Sequence, residues 1–168
     1  MNRVLLIGNT GAGKTTFARK LAAKQNLPLI HLDQLYWRGD WEHLSREEFD
    51  AALQIELEKP RWIMDGNFDR TIPHRLQYCD AVIFLDYSTI TCLAGITRRI
   101  FSNLGKVRPD MGGNCVEHFD FQKLALYRST LRFRQKRDRY YELLNKQTGI
   151  KVIIFRNRRQ ANAFLEKL

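Results

Sequence analysis

Gly8-Asn9-Thr10-Gly11-Ala12-Gly13-Lys14-Thr15 constrains this chain more than any other stretch, because it satisfies the spacing G-x-x-x-x-G-K-[ST] at every required position. Before it lies Val4-Leu5-Leu6-Ile7, a short apolar run of the kind that makes a buried parallel strand. After it, Thr16 to Gln25 reads as a helix. A strand that feeds a glycine-rich turn into a helix aims successive backbone N–H groups and the positive helix end at one point. That point suits the β-phosphate of a nucleotide. Lys14 then reaches the β- and γ-phosphates, and the Thr15 hydroxyl takes one coordination position on Mg²⁺. Glycines at 8, 11 and 13 let the main chain approach the anion closely.

A chain of 168 residues is expected to form one domain with a full core. No segment approaches the roughly 18 uncharged apolar residues of a membrane span. The first residues run straight into the first strand, so no signal peptide is expected and the cytosol is the expected compartment. Cys79, Cys92 and Cys115 are odd in number and widely spaced, which suits reduced thiols better than a zinc site. The net charge is +10, yet residues 1–90 carry 11 Lys or Arg against 12 Asp or Glu, while residues 91–168 carry 17 against 6. All of the excess therefore sits in the second half. Such asymmetry fits a face for nucleic acid, a site where arginines close around a polyphosphate, or simply a basic surface.

Along the chain, Pro28 to Asp33 reads as a second strand ending on a carboxylate, and the carboxyl ends of parallel strands face the ligand crevice. Asp33 is thus the leading group to orient an acceptor oxygen or take its proton. The loop that follows, Gln34 to Trp41, crowds Tyr36 and Trp37 with charged residues and suits a platform for a ring-bearing substrate. Ser45-Arg46-Glu47-Glu48 carries a capping-box pattern and starts a helix to about Glu58. Residues 34–60 then form a helical excursion that covers a second substrate. Arg61 to Asn67 reads as a third strand, whose Asp65 completes a Mg²⁺ site with Thr15. Gly66 and Asn67 allow close approach to substrate, and Arg70 is placed to touch an acceptor phosphate.

Cys79 to Asp86 reads as the fourth strand, and a helix from about Thr89 to Asn103 bears Arg98 and Arg99 near its end. Gly105 to Asn114 mixes hinge-like glycines with Lys106 and Arg108 and reads as a lid. From Glu117 to about Asn145 the pattern is one long basic helix or a kinked pair, with Arg128 and Arg132 foremost for phosphate contact. Lys151 to Phe155 is the fifth strand, and at its end Arg156 and Asn157 are placed to meet an adenine ring. Five strands alternating with helices predict an α/β parallel sheet wrapped on both faces.

The Gly8–Thr15 loop, the His-Leu-Asp end of strand two followed by Tyr-Trp, the Asp-Gly-Asn end of strand three, the Arg-Pro-Asp lid segment and the terminal strand-turn-helix together resemble a known group. They are similar to the DNA topology modulation (FlaR-like) proteins, which in turn resemble adenylate, shikimate and other P-loop small-molecule kinases. The resemblance spans nearly the whole chain. It implies a three-layer P-loop nucleoside triphosphate hydrolase fold with strand order 2-3-1-4-5, a substrate-binding insert at about 34–60 and an arginine lid at about 99–118. It also implies that Gly8 to Thr16, Thr16 included, bind ATP phosphates, that Asp33 and Asp65 face the reacting centre, and that Arg99 and Arg108 flank the γ-phosphate. Adenylate kinases continue Asp-Gly into Phe-Pro-Arg, whereas this chain has Asn67-Phe68-Asp69-Arg70, a departure that leaves the acceptor open.

The expected activity is an ATP- and Mg²⁺-dependent phosphotransferase acting on a nucleoside, nucleotide or other small molecule. The alternative is a nucleotide-dependent DNA-binding regulator using the basic second half, for which no helix-turn-helix, zinc-finger or RNA-binding signature is present.

Overall fold

In the computed structural model, which describes residues 1–38, 42–104 and 121–168, strand β1 (Arg3–Gly8) lies at the centre of a five-stranded sheet. Both of its edges are taken by parallel partners, β3 (Trp62–Asp65) on one side and β4 (Ala81–Leu85) on the other. β2 (Leu29–His31) and β5 (Lys151–Phe155) extend the sheet outward, so the order is β2-β3-β1-β4-β5. With no free edge and helices over each face, the middle of β1 has no contact with water, which is why Val4 to Ile7 are apolar without alternation.

The strand pleat divides the core in two. Val4 and Leu6, with Ile63 and Ile83, pack on Phe17 and Leu21 of α1 (Lys14–Gln25) and Leu165 of α8 (Arg158–Glu166). Leu5 and Ile7, with Met64 and Phe84, pack on Phe49 and Leu53 of α3 (Arg46–Leu57) and on Tyr140 and Leu144 of α7 (Phe133–Asn145). The capping box forms as the spacing predicts: the Ser45 hydroxyl accepts from the Glu48 N–H, and the Glu48 carboxylate accepts from the Ser45 N–H. Because Asp65 is level with both His31 and Leu6, the carboxyl ends of β1, β2 and β3 converge.

One element differs from the sequence reading. The second strand stops at His31, and Asp33 sits in the first turn of a short helix, α2 (Leu32–Tyr36), instead of at a strand tip. β2 pairs only with β3, and that pairing ends at His31 opposite Asp65, so nothing continues the ladder. Leu32 instead turns fully into the core, and the Trp37 N–H closes the turn on the Asp33 carbonyl. The long basic segment, read as one helix or a kinked pair, is the pair: α6 (Phe121–Leu131) and α7, broken at Arg132. Thr130, just before the break, donates its hydroxyl to the Leu126 carbonyl, a bond that bends helices. Its own carbonyl accepts the Asn9 side-chain amide at 3.2 Å.

α5 (Thr89–Asn103) crosses the glycine-rich loop at a contact that tolerates no side chain. A Cβ on Gly95 would lie 2.0 Å from the Gly11 carbonyl oxygen, and one on Gly11 would lie 2.1 Å from that of Cys92. A second tie holds the turn after β3. Arg75, fully buried on α4 (Ile72–Leu76), donates to the carbonyls of Gly66 at 2.9 Å and of Asn67. Burial draws its guanidinium down to about 10, still charged at neutral pH. Among the described residues no helix is long and apolar enough to cross a membrane.

Gly95→Ala should therefore force loop and helix apart, lowering stability by roughly 1–3 kcal/mol and weakening nucleotide binding, read by thermal unfolding and calorimetry. Arg75→Met should leave the turn carbonyls unpaired at about 1–3 kcal/mol each, and its melting temperature should fall below that of the parent.

Candidate active site

The convergent strand ends open into a cleft of about 920 Å³. Its floor is the loop from Thr10 to Thr16, which leads into α1 with Gly13 as a left-handed N-cap at φ 90°. This backbone conformation costs a side-chain-bearing residue energy, and it turns the first N–H groups of α1 toward the cleft. Lys14 lies over the loop and donates to the carbonyls of Gly8 at 3.0 Å and Asn9 at 3.1 Å. Loss of solvent pulls its ammonium below the ordinary lysine range. Asp65 and Asp33 oppose that shift, while Arg99 adds to it. These couplings place two carboxylates and an arginine around the same ammonium.

Asp65, only 5% exposed, is the most constrained of these groups. Its Oδ2 accepts from the Thr15 hydroxyl at 2.7 Å and lies 3.3 Å from His31 Nδ1. Its Oδ1 is buried with no hydrogen-bond partner. A buried carboxylate oxygen without a donor is costly to leave so, and a cation bearing waters would satisfy it. Thr15 and Asp65 thus fit Mg²⁺, which takes few protein ligands and completes its shell with water and phosphate oxygens. No group of three His, Cys, Asp or Glu side chains that could hold a metal ion occurs among the described residues.

Asp33 and Trp37, from the α2 segment, and Gly66, Asn67 and Phe68, from the turn after β3, line the cleft. The Asn67 carbonyl amide oxygen, Oδ1, accepts weakly from the Gly8 N–H at 3.4 Å, joining that turn to the loop. Arg98 and Arg99 from α5, Leu126 from α6, and Arg158 and Asn162 from α8 line the cleft as well.

Several residues expected here are held elsewhere. Arg70 makes a bidentate pair with Asp50 of α3, at 2.8 and 2.7 Å, and does not line the cleft. Arg156 pairs with Asp86 and lies over the Tyr141 ring, 5.4 Å from its centroid. Tyr141 donates to the same carboxylate at 2.7 Å, and burial followed by that bond pushes its phenol up to about 12. Asn157 caps α8, its side-chain oxygen accepting from the Gln160 N–H. Arg128 is exposed and outside the cleft, and Tyr36 stands behind Trp37, stacked on His43. Asn9 is buried with its side chain turned to Thr130, whereas Ala12, buried as well, stays in the cleft floor. Arg108 and the rest of the lid segment over 105–118 lie outside the described residues, as do Gly39, Asp40, Trp41 and Cys115.

Arg158, Phe68 and the positioning role of Arg75 went unread in the sequence. The signal for Arg158 was available: Asn157 followed three residues later by Gln160 marks a helix start, which places Arg158 in the first turn instead of Arg156. No local signal marked Phe68 or Arg75.

Residues 4–86 match the family model described as ATPase family associated with various cellular activities (AAA). No curated protein matches the chain significantly. Shikimate kinase from Acinetobacter baumannii in complex with shikimate is similar over 99% of this chain and 90% of its own, with 18% identity and a TM-score of 0.62. Shikimate kinase from Bacteroides thetaiotaomicron is similar over 99% and 95%, with 19% identity and a TM-score of 0.58. That from Aquifex aeolicus is similar over 98% and 92%, with 12% identity and a TM-score of 0.51. The α/β sheet of order 2-3-1-4-5, with its glycine-rich loop after β1, thus has the fold of the P-loop kinases.

Proposed function

We propose that this protein is an ATP-dependent phosphotransferase that moves the γ-phosphoryl group to a small-molecule acceptor, a nucleoside, nucleotide or other alcohol. The observation that carries the reading is that two carboxylates, Asp33 and Asp65, border the same cleft as the glycine-rich loop and both act on Lys14. A protein that only held a nucleotide needs one carboxylate for the metal and has no use for a second. The likeness to kinases in fold supports the same reading.

The loop N–H groups and Lys14 hold the phosphates, and Thr15 with Asp65 would hold Mg²⁺, which would supply positive charge to offset that of the phosphates. Asp33 orients the acceptor hydroxyl and takes its proton as that oxygen bonds to the γ-phosphorus. The bond from phosphorus to the β–γ bridging oxygen breaks, and ADP leaves with the electron pair. Arg99, on the cleft wall, meets the charge of the transferred group, and Arg108 of the lid segment is assigned the same role.

Incubation with ATP, Mg²⁺ and a panel of acceptors should yield ADP only when a particular acceptor is present. Lys14→Ala should lower that rate by about 10²–10³ or more. Asp33→Asn should cut kcat by about 10²–10⁴ while calorimetry finds ATP affinity nearly intact; equal activity in the parent and Asp33→Asn would remove Asp33 from the chemistry. Asp65→Asn should raise the Mg²⁺ concentration for half-maximal rate by about tenfold. ADP formation indifferent to every acceptor, together with DNA binding that requires ATP, would instead favour the regulatory reading.

A further inference from the structure

We infer that His31 is a positioning residue for the Mg²⁺ carboxylate: its ring N–H holds Oδ2 of Asp65, so that Thr15 and Asp65 meet the cation as one pre-set pair. The inference rests on the metal site assigned in the kinase reading above and is independent of the acceptor.

His31 ends β2, in register with Asp65 at the end of β3. Residues in register on adjacent parallel strands send their side chains to the same face of the sheet. The His31 Nδ1 lies 3.3 Å from Asp65 Oδ2, and the residue is only 8% exposed. A carboxylate oxygen has no proton to give, so Nδ1 is the donor. His31 also stands at the N-cap of α2, yet its side chain makes no capping bond there. The ring serves Asp65 instead of its own helix. Just beyond the pair, a Cβ on Gly66 would lie 2.8 Å from Leu32 Cβ, so the segments following His31 and Asp65 pack together with no room for a side chain. That packing fixes the spacing at which the imidazole reaches the carboxylate.

The terminal torsion of an aspartate is soft and nearly two-fold, so a carboxylate held by one donor can present either oxygen to it. Two donors on Oδ2, the Thr15 hydroxyl at 2.7 Å and His31 from the neighbouring strand, remove that choice. Oδ1, buried and without a hydrogen-bond partner, is left as the oxygen for a cation or its waters. The Thr15 proton is committed to Oδ2 in the same way, which leaves the lone pairs of its oxygen for the metal. His31 itself does not line the cleft. It acts through Asp65, as an outer partner that orients a ligand.

The test is calorimetry of the full chain with adenylyl imidodiphosphate, a non-hydrolysable ATP analogue, once in excess Mg²⁺ and once in EDTA. The ratio of the two affinities isolates the share that depends on metal. His31→Leu should cut that ratio about tenfold or more while leaving affinity in EDTA within about twofold of the parent. His31→Asn, whose side-chain amide can place an N–H near the position of Nδ1, should recover most of the loss. Added to Asp65→Ala, His31→Leu should bring little further loss, because the group it holds is gone. If His31→Leu shows no cooperative thermal unfolding, His31→Phe, which keeps the bulk of the ring without its N–H, replaces it with the same expectations. A ratio equal to the parent's, a loss of the same size in EDTA, or a loss that His31→Asn shares in full overturns the inference. A parent whose affinity Mg²⁺ does not raise overturns the metal site and the inference together. Acceptor screens that never yield ADP overturn the kinase reading and leave the His31 result standing.

Discussion

The backbone-to-backbone contact between Gly11 and Gly95 is the constraint on which the rest of the site depends. With no side chain on either residue, α5 lies directly on the glycine-rich loop. The loop therefore does not set its own shape; it is pressed into place between the end of β1 and a helix that arrives from β4. The same approach fixes where the next turn of α5 falls, which brings Arg98 and Arg99 onto the cleft wall. Asn9 adds a third anchor through the Thr130 carbonyl, joining the loop to α6. A loop seated from several sides is already in the form that holds an anion, so little ordering remains to be done when one binds.

Charge in this molecule separates into ligands and struts. Lys14, Asp33, Asp65, Arg99 and Arg158 face the cleft. Arg70, Arg75 and Arg156 tie backbone segments together, through Asp50, through the carbonyls after β3 and through Asp86. A guanidinium suits both tasks, because its planar fork can grip a phosphate or a carboxylate with equal ease. What decides the task is whether an acidic partner stands within reach on a neighbouring element. The basic second half of the chain is therefore a poor guide to which of its arginines meet a ligand.

The legible parts of the site were those whose partners are neighbours in sequence. Strand, glycine turn and helix lie within residues 3–25, and the phosphate cradle needs nothing else to be recognised. The Ser45 cap was equally plain, since both halves of its hydrogen-bond pair fall within four residues. Asp65 could be read as a strand end because its run of apolar residues is buried on both faces. Asp33 was read into the wrong element: its helical turn comes from an edge strand running out of partner opposite Asp65, a fact of sheet register that local pattern does not carry.

From the amino-acid order alone came the place of the phosphate loop, the five alternating strands and the two acidic positions, because periodicity and turn chemistry are properties of short segments. Tertiary structure decided which cations are spent on internal ties and which line the cleft. It also set the fit of loop to α5 and the aromatic bracing of Trp37 and Phe68. Those outcomes depend on pairs such as Arg70 with Asp50 and Arg156 with Asp86, separated by 20 and 70 residues. Only packing of the whole chain brings such pairs within hydrogen-bonding distance.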